Sequence, residues 1–426
     1  MRGIKLFLIV SIITVMLAGC SNQNPVTILE PDITSEEEKI VLKFINSWGG
    51  SDPKAETLTS VFNTFTAINK DIEISNESLF GDDFLVKLKT DFASGNDPDV
   101  FGLWPGSDIK TLIKVGKVAD LTDVLKSDPA WMNSFDPIMW QHTTVGDRIY
   151  GLPVEQIFEA LYVNMDLFEQ YNVKVPVNYQ ELKEAVVAFK SNGVIPIAFN
   201  CKAEGSYLYQ NMAMMIGGKA AIEEPISGKQ INPCFITAME YMKELYELDA
   251  FPEDMYTMTS VERNNLFIEK KAAMLVQGSW FISAVEKSDD VDIVPFPEMI
   301  EDGDNYSSMI YGLGCGTFYM SQKAWEDPVR REASIRLLRH LTSKETATIF
   351  AERTGMFSCV DIYDTQIKYG KLALKGMSLT NSAKFLVGPP DSYLERTKWE
   401  DVIVKYFPYV LQSQITPEEL WSQALE

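Results

Sequence analysis

Residues 40–48, IVLKFINSW, open the stretch whose order decides the fold: a short strand-like run that stops at Gly49-Gly50-Ser51-Asp52-Pro53. KAETLTSVFNTFTAI (54–68) then sets Leu58, Val61, Phe62, Phe65 and Ile68 at helical spacing. DIEISNESLF (71–80) alternates like a strand, and DDFLVKLKTDFASG (82–95) gathers Phe84, Leu85, Leu88 and Phe92 on one helical side, with Gly95 as its stop. PDVFGLW (98–104) supplies a third short strand. This β-α-β-α-β order predicts an α/β fold whose sheet is mainly parallel and flanked by helices.

Outward from there the pattern continues. After DRIYGLP (147–153), a strand-like EALYVN leads into MDLFEQYNV, and helical spacing then dominates residues 178–193, 207–218 and 235–250. AAMLVQGSW (272–280), VDIVPFP (291–297) and the glycine-rich YGLGCGTFYM (311–320) read as strands and turns. Two further helices cover 328–343 and 344–355, ahead of a loop-rich end. The Met-rich MAMMIG (212–217) fits a buried helix face.

The chain has 426 residues, 46% of them hydrophobic, and its 38 basic against 60 acidic residues give a net charge of −22. The length favours two lobes or domains. No run of four basic residues occurs, so nucleic acid is not expected as a partner. His142 and His340 are the only histidines, which leaves little imidazole for a metal site or a catalytic triad. GxSxG, HExxH, the phosphate loop, CxxC and the EF-hand loop are absent, and neither cofactor nor metal is expected. Gly312, Gly314 and Gly316 lack the dinucleotide spacing and read as a tight turn or a close backbone approach. Cys201, Cys234, Cys315 and Cys359 allow up to two disulfides in three pairings, or four buried thiols.

At the N-terminus, Arg2 and Lys5 precede an uncharged apolar run from Leu6 to Ala18, the layout of a secretory signal peptide over residues 1–19. That run rises only about 20 Å as a helix, short of a ~30 Å hydrocarbon core. Leu17-Ala18-Gly19-Cys20 resembles the lipobox of bacterial lipoproteins, which implies lipidation of Cys20 and a membrane anchor at the outer cell face. Residues 20–38, with Pro25, Pro31 and an acidic cluster at 36–38, read as a flexible tether.

Five stretches carry a wider resemblance: VLKFINSWGGSDP (41–53), LKTDFASGNDPDVFGLWPGS (88–107), IYGLPVEQIFEALYVNMDLFEQYNV (149–173), FIEKKAAMLVQGSWFI (267–282) and residues 318–355. In order and spacing they resemble the maltose-binding-protein-like, carbohydrate-binding family of extracellular solute-binding proteins that serve bacterial ABC importers. The resemblance implies a two-lobe, periplasmic-binding-protein-like fold that closes about a hinge, acting as a monomer with no enzymatic step. Solute would lie between the lobes and pass to ABC permease subunits. It places lobe 1 at 39–155 plus 297–342 and lobe 2 at 156–296 plus 343–426. Crossings are then expected near Glu155-Gln156, Pro295–Pro297 and Thr342-Ser343.

A pyranose has apolar C–H faces and a rim of hydroxyls, so its site needs flat rings and polar acceptors. Trp48 beside Gly49-Gly50, Trp104 after PDVFG, Tyr207 in the turn EGSY and Trp280 after Gly278-Ser279 stand where loops leave strand ends. Trp104 and Trp280 also match the family's ligand-stacking tryptophans. Glu155 at the first crossing is a candidate acceptor for hydroxyls, and Tyr311 a candidate wall. Trp131, Trp140, Trp325, Trp399 and Trp421 read as packing. Two rivals remain at this point: an anchored hydrolase acting on glycans through two carboxylates, and the same receptor fold taking a peptide or polyamine.

Overall fold

A computed structural model describes residues 39–426 except 302, 304 and 364, so the expected signal segment, the lipidation site at Cys20 and the tether lie outside the described residues. Strand Ile40–Ile45 buries Leu42, Phe44 and Ile45 completely. Helix Ala55–Ile68 covers it with Leu58, Val61, Phe62 and Phe65, whereas Ile68, expected on the same face, is 73% exposed because it sits at the frayed end beyond the core. Helix Asp82–Ser94 ends at Gly95, whose φ of 76° lets the chain turn in the left-handed cap that favours glycine.

The first sheet runs Ile72–Asn76, Ile40–Ile45, Val100–Gly102, Thr317–Met320, Gly151–Pro153. Its first three strands are parallel, as their helical crossovers demand, and Thr317–Met320 runs against both neighbours. The second sheet is organised by one long strand, Glu155–Asn164. Its N-terminal half pairs antiparallel with Met309–Leu313 and Phe357–Ser358, and its C-terminal half with Ala272–Gly278 and Val291–Val294. Ile195–Ile197 and Leu386–Val387 extend this sheet in parallel pairs. Among the described residues, every antiparallel pair of these two sheets involves Glu155–Asn164 or Thr317–Met320, the strands that the chain enters directly from the other lobe.

Each sheet has its own core. Phe44, Phe65, Trp131, Phe318 and Phe350 belong to that of the first lobe; the second gathers Phe189, Met212, Met214, Met215, Phe235, Trp399 and Trp421. Trp399 stacks on Tyr209 at 5.7 Å, and the Trp421 indole N–H donates to the Tyr209 hydroxyl at 3.1 Å, so the C-terminal helices close the second core.

The chain passes between lobes first at Val154, where Gly151–Pro153 of the first sheet leads into Glu155–Asn164 of the second. The other crossings differ from the expected places. Pro295–Pro297 is no crossing, because Phe296 and Met299 pack in the second core and Met309–Leu313 still belongs to the second sheet; the passage comes at 314–316. Thr342-Ser343 is only a break between two helices of the first lobe. Ser343 caps helix Lys344–Thr354, and Phe350 on that helix lies 4.9 Å from Trp48. The third passage begins after it, where Phe357–Ser358 pairs with Glu155 and Gln156. Proline breaks and capped helix junctions look the same in sequence whether or not the chain changes lobes.

Candidate functional site

Where the lobes face each other they enclose a cleft of about 420 Å³, and all six candidate residues (Trp48, Trp104, Glu155, Tyr207, Trp280 and Tyr311) line it. They do not contribute equally. Trp48 is 2% exposed and wedged between Phe318 and Phe350, so it shows the cleft little more than an edge. Half-buried Trp104 packs against Phe84, and the Arg396 guanidinium sits 5.1 Å from its ring. Trp280 lies over Gly278, where a β-carbon would come within 2.1 Å of the indole; any larger residue would unseat the ring. Tyr207 meets Trp280 edge-on at 5.7 Å, which gives the second lobe an aromatic corner. The Tyr311 hydroxyl donates to Gln156 Oε1 at 2.7 Å, leaving its ring as the exposed part.

Glu155 is committed before any ligand arrives. Its Oε1 pairs with Lys54 Nζ at 2.9 Å, and its Oε2 accepts the Gly316 N–H at 3.0 Å. Beta-carbons at Gly314 and Gly316 would approach Glu155 to 2.2 and 2.6 Å, so these glycines are the close backbone approach read from the sequence. Asp52 Oδ1 accepts the Lys54 N–H at 2.7 Å. Burial pushes the Lys54 ammonium down, but Glu155 and Asp52 outweigh it and hold lysine above its ordinary range. Burial likewise raises the Asp52 carboxyl, with Lys54 opposing.

Besides exposed Lys110, sequence reasoning missed four more charged groups of the lining. Glu204 is held by Arg263 at 2.7 Å and Gln277 at 3.0 Å. Asp391 pairs with Arg396 at 3.0 Å, and Arg396 also grips Glu400. Arg396 crosses the mouth of the cleft: its backbone N–H donates to Ser107 Oγ at 3.1 Å, and its Nε lies 3.9 Å from Asp108 of the first lobe. The fourth group, Glu159, is 2% exposed and accepts the Asn211 side-chain N–H at 2.7 Å. Its signal was present: 155, 157 and 159 share one face of the strand by the two-residue period, and all three line the cleft. Asp391 and Arg396 lie in an irregular segment without such a period.

Burial, reinforced by Asp391 and opposed by the Asn211 hydrogen bond, raises the Glu159 carboxyl well above the ordinary glutamate value. An acid raised on folding keeps its proton longer in the folded state, so folding is penalised as pH climbs from the unfolded value towards the raised one. Glu159→Gln should therefore raise the melting temperature of the empty protein near pH 7 and change it little near pH 4, as thermal melts at the two pH values would read. Equal shifts at both would mean that the carboxyl is not strained by its surroundings.

All four cysteines named from the sequence are free thiols. Cys315 borders the cleft, accepts the Ser47 N–H and donates to the Gly102 carbonyl, and burial pushes its thiol up to about 12, a value that suits packing and not nucleophilic attack.

Two α/β lobes joined by three passages around an aromatic, charged cleft define the architecture of a two-lobed solute-binding protein. The chain belongs to the bacterial extracellular solute-binding protein family, whose profile matches residues 49–346. It is 23% identical over 299 residues to the multiple sugar-binding protein of Streptococcus mutans, covering 68% of this chain and 67% of that protein. It is 22% identical to the maltodextrin-binding protein of Bacillus subtilis, over 81% of this chain and 78% of that one. A solved structure from work on xylan utilization by Caldanaerobius polysaccharolyticus superposes with a TM-score of 0.79 at 26% identity, covering 91% of this chain and 99% of that one. A chitin oligosaccharide binding protein superposes at 0.80 and 20% identity, covering 91% and 98%, a likeness of fold.

Proposed function

We propose that this protein captures a sugar or oligosaccharide between its lobes and delivers it to the permease of an ABC importer, tethered at the outer cell face through lipid on Cys20. The observation that carries this reading is the convergence of Trp104 from one lobe with Trp280, Tyr207 and Tyr311 from the other on one cleft. Such rings offer stacking faces to C–H surfaces, and the carboxylates between them offer acceptors to hydroxyls. The volume of about 420 Å³ suits a small ligand. The sugar-binding relatives support the same class of guest.

The rival hydrolase needs one carboxyl to give a proton and a second to act as base or nucleophile. Glu159 keeps its proton to higher pH and could give it, but Glu155, Glu204 and Asp391 are each held by a cation and none is a free base or nucleophile, which speaks for binding without bond cleavage. A thermal-shift screen against mono- and oligosaccharides tests the proposal. Ligand at 100 times its Kd adds about 2.7 kcal/mol, so the right glycan should give a clear rise in melting temperature together with a change in tryptophan emission. No rise with any glycan would reject the sugar reading, and release of reducing ends from a bound glycan would favour the hydrolase.

A further inference from the structure

We infer that the cleft is specialised for an amino sugar, a pyranose whose free ammonium group pairs with Glu159 while its ring lies against Trp280 and Tyr207. The inference rests on the sugar-receptor reading and sharpens it.

Among the carboxylates lining the cleft, Glu155, Glu204 and Asp391 form ion pairs with Lys54, Arg263 and Arg396. Asp52 has Lys54 two residues along, bonded through its backbone. Glu159 has no ion pair among the described residues; a neutral amide, Asn211, is its hydrogen-bond partner, and the nearby Asp391 repels its negative form. Arg396 cannot serve as its counter-charge, because it is already divided between Asp391 and Glu400. Buried charges are ordinarily paired, so in the empty cleft this carboxyl keeps its proton to higher pH, and a cation seated beside it would draw it into its charged form. A neutral sugar would bring hydroxyls but no charge. An ammonium would bring three donors and a full positive charge to an acid-rich wall, next to the aromatic corner of Tyr207 and Trp280, whose ring faces also attract cations. A polyamine would satisfy the charge too, but its narrow methylene chain would cover less of those flat rings than the broad C–H face of a pyranose.

The test compares matched ligands by titration calorimetry at about pH 6, where an aliphatic amine is protonated. The probes are glucosamine and its β-1,4 oligomers, their N-acetylated counterparts, glucose with its α-1,4 and β-1,4 oligomers, and spermidine. The aminated series should bind about tenfold to a hundredfold tighter than the neutral ones, as a charge-assisted bond replaces a neutral one. Glu159→Gln should bring that ratio close to unity. A ratio near unity in the native protein, an undiminished ratio in the variant, or spermidine as the tightest ligand would overturn the inference. Neutral glycans binding without preference for amine would sink this inference alone; silence from every glycan would sink the sugar-receptor reading as well.

Discussion

Replacing Lys54 by alanine should destabilise the empty protein by about 3–5 kcal/mol, the usual cost of leaving one partner of a buried ion pair alone. The Lys54 and Glu155 side chains are 3% and 4% exposed and 2.9 Å apart. Lys54 stands at the start of helix Ala55–Ile68 in the first lobe, and Glu155 opens the long strand of the second, so the pair ties the lobes together at the first passage. Without the ammonium, Glu155 keeps only the Gly316 N–H and must either carry an uncompensated charge or take up a proton. Urea denaturation would read the loss. The double variant Lys54→Met with Glu155→Gln should recover most of it, because removing both charges also removes the desolvation cost. A loss below about 1 kcal/mol for the single variant would match an exposed pair and place water between the lobes at this point.

Trp280→Ala should weaken affinity for the bound glycan about thirtyfold or more, a loss of about 2 kcal/mol typical of an aromatic anchor. The melting temperature of the empty protein should barely move. The contrast follows from where the ring sits: Trp280 is half-buried, rests on the backbone of Gly278 and touches Tyr207 by its edge, and it belongs to none of the hydrophobic cores. Trp48 would not separate affinity from stability in this way, because it is packed between Phe318 and Phe350. Calorimetric titration and a melt of the same preparation supply both numbers. A large fall in melting temperature with affinity unchanged would make Trp280 a packing residue.

What could be read from sequence followed the local periods. The opening β-α-β-α-β order and the apolar faces at Leu58 to Phe65 and Phe84 to Phe92 are short-range patterns, and the helices and strands they predict are present. Trp48, Trp104, Tyr207 and Trp280 were legible as cleft-lining because they stand where loops leave strand ends, Glu155 because it opens the strand at the first passage, and Tyr311 because it precedes the glycine turn. What stayed hidden depends on partners distant in the chain. Nothing near Glu155 announces Lys54, 101 positions before it by their numbers, so the carboxylate read as a free acceptor is half of an ion pair. The passages at 314–316 and after 355 escaped notice because lobe membership of Met309–Leu313 and of helix Lys344–Thr354 is set by strand pairing and by Phe350 against Trp48. Arg396 pairs locally with Asp391 and Glu400, and what the sequence hides is its reach to Ser107 and Asp108 on the opposite lobe.

The most direct test is a crystal structure of the protein grown with the glycan that raises its melting temperature most. A sugar ring is expected between the lobes, its C–H face within van der Waals distance of Trp280 and its polar rim reaching groups of both sheets. A glycan bound elsewhere on the surface, or one that leaves Trp280 and Tyr207 untouched, would contradict it.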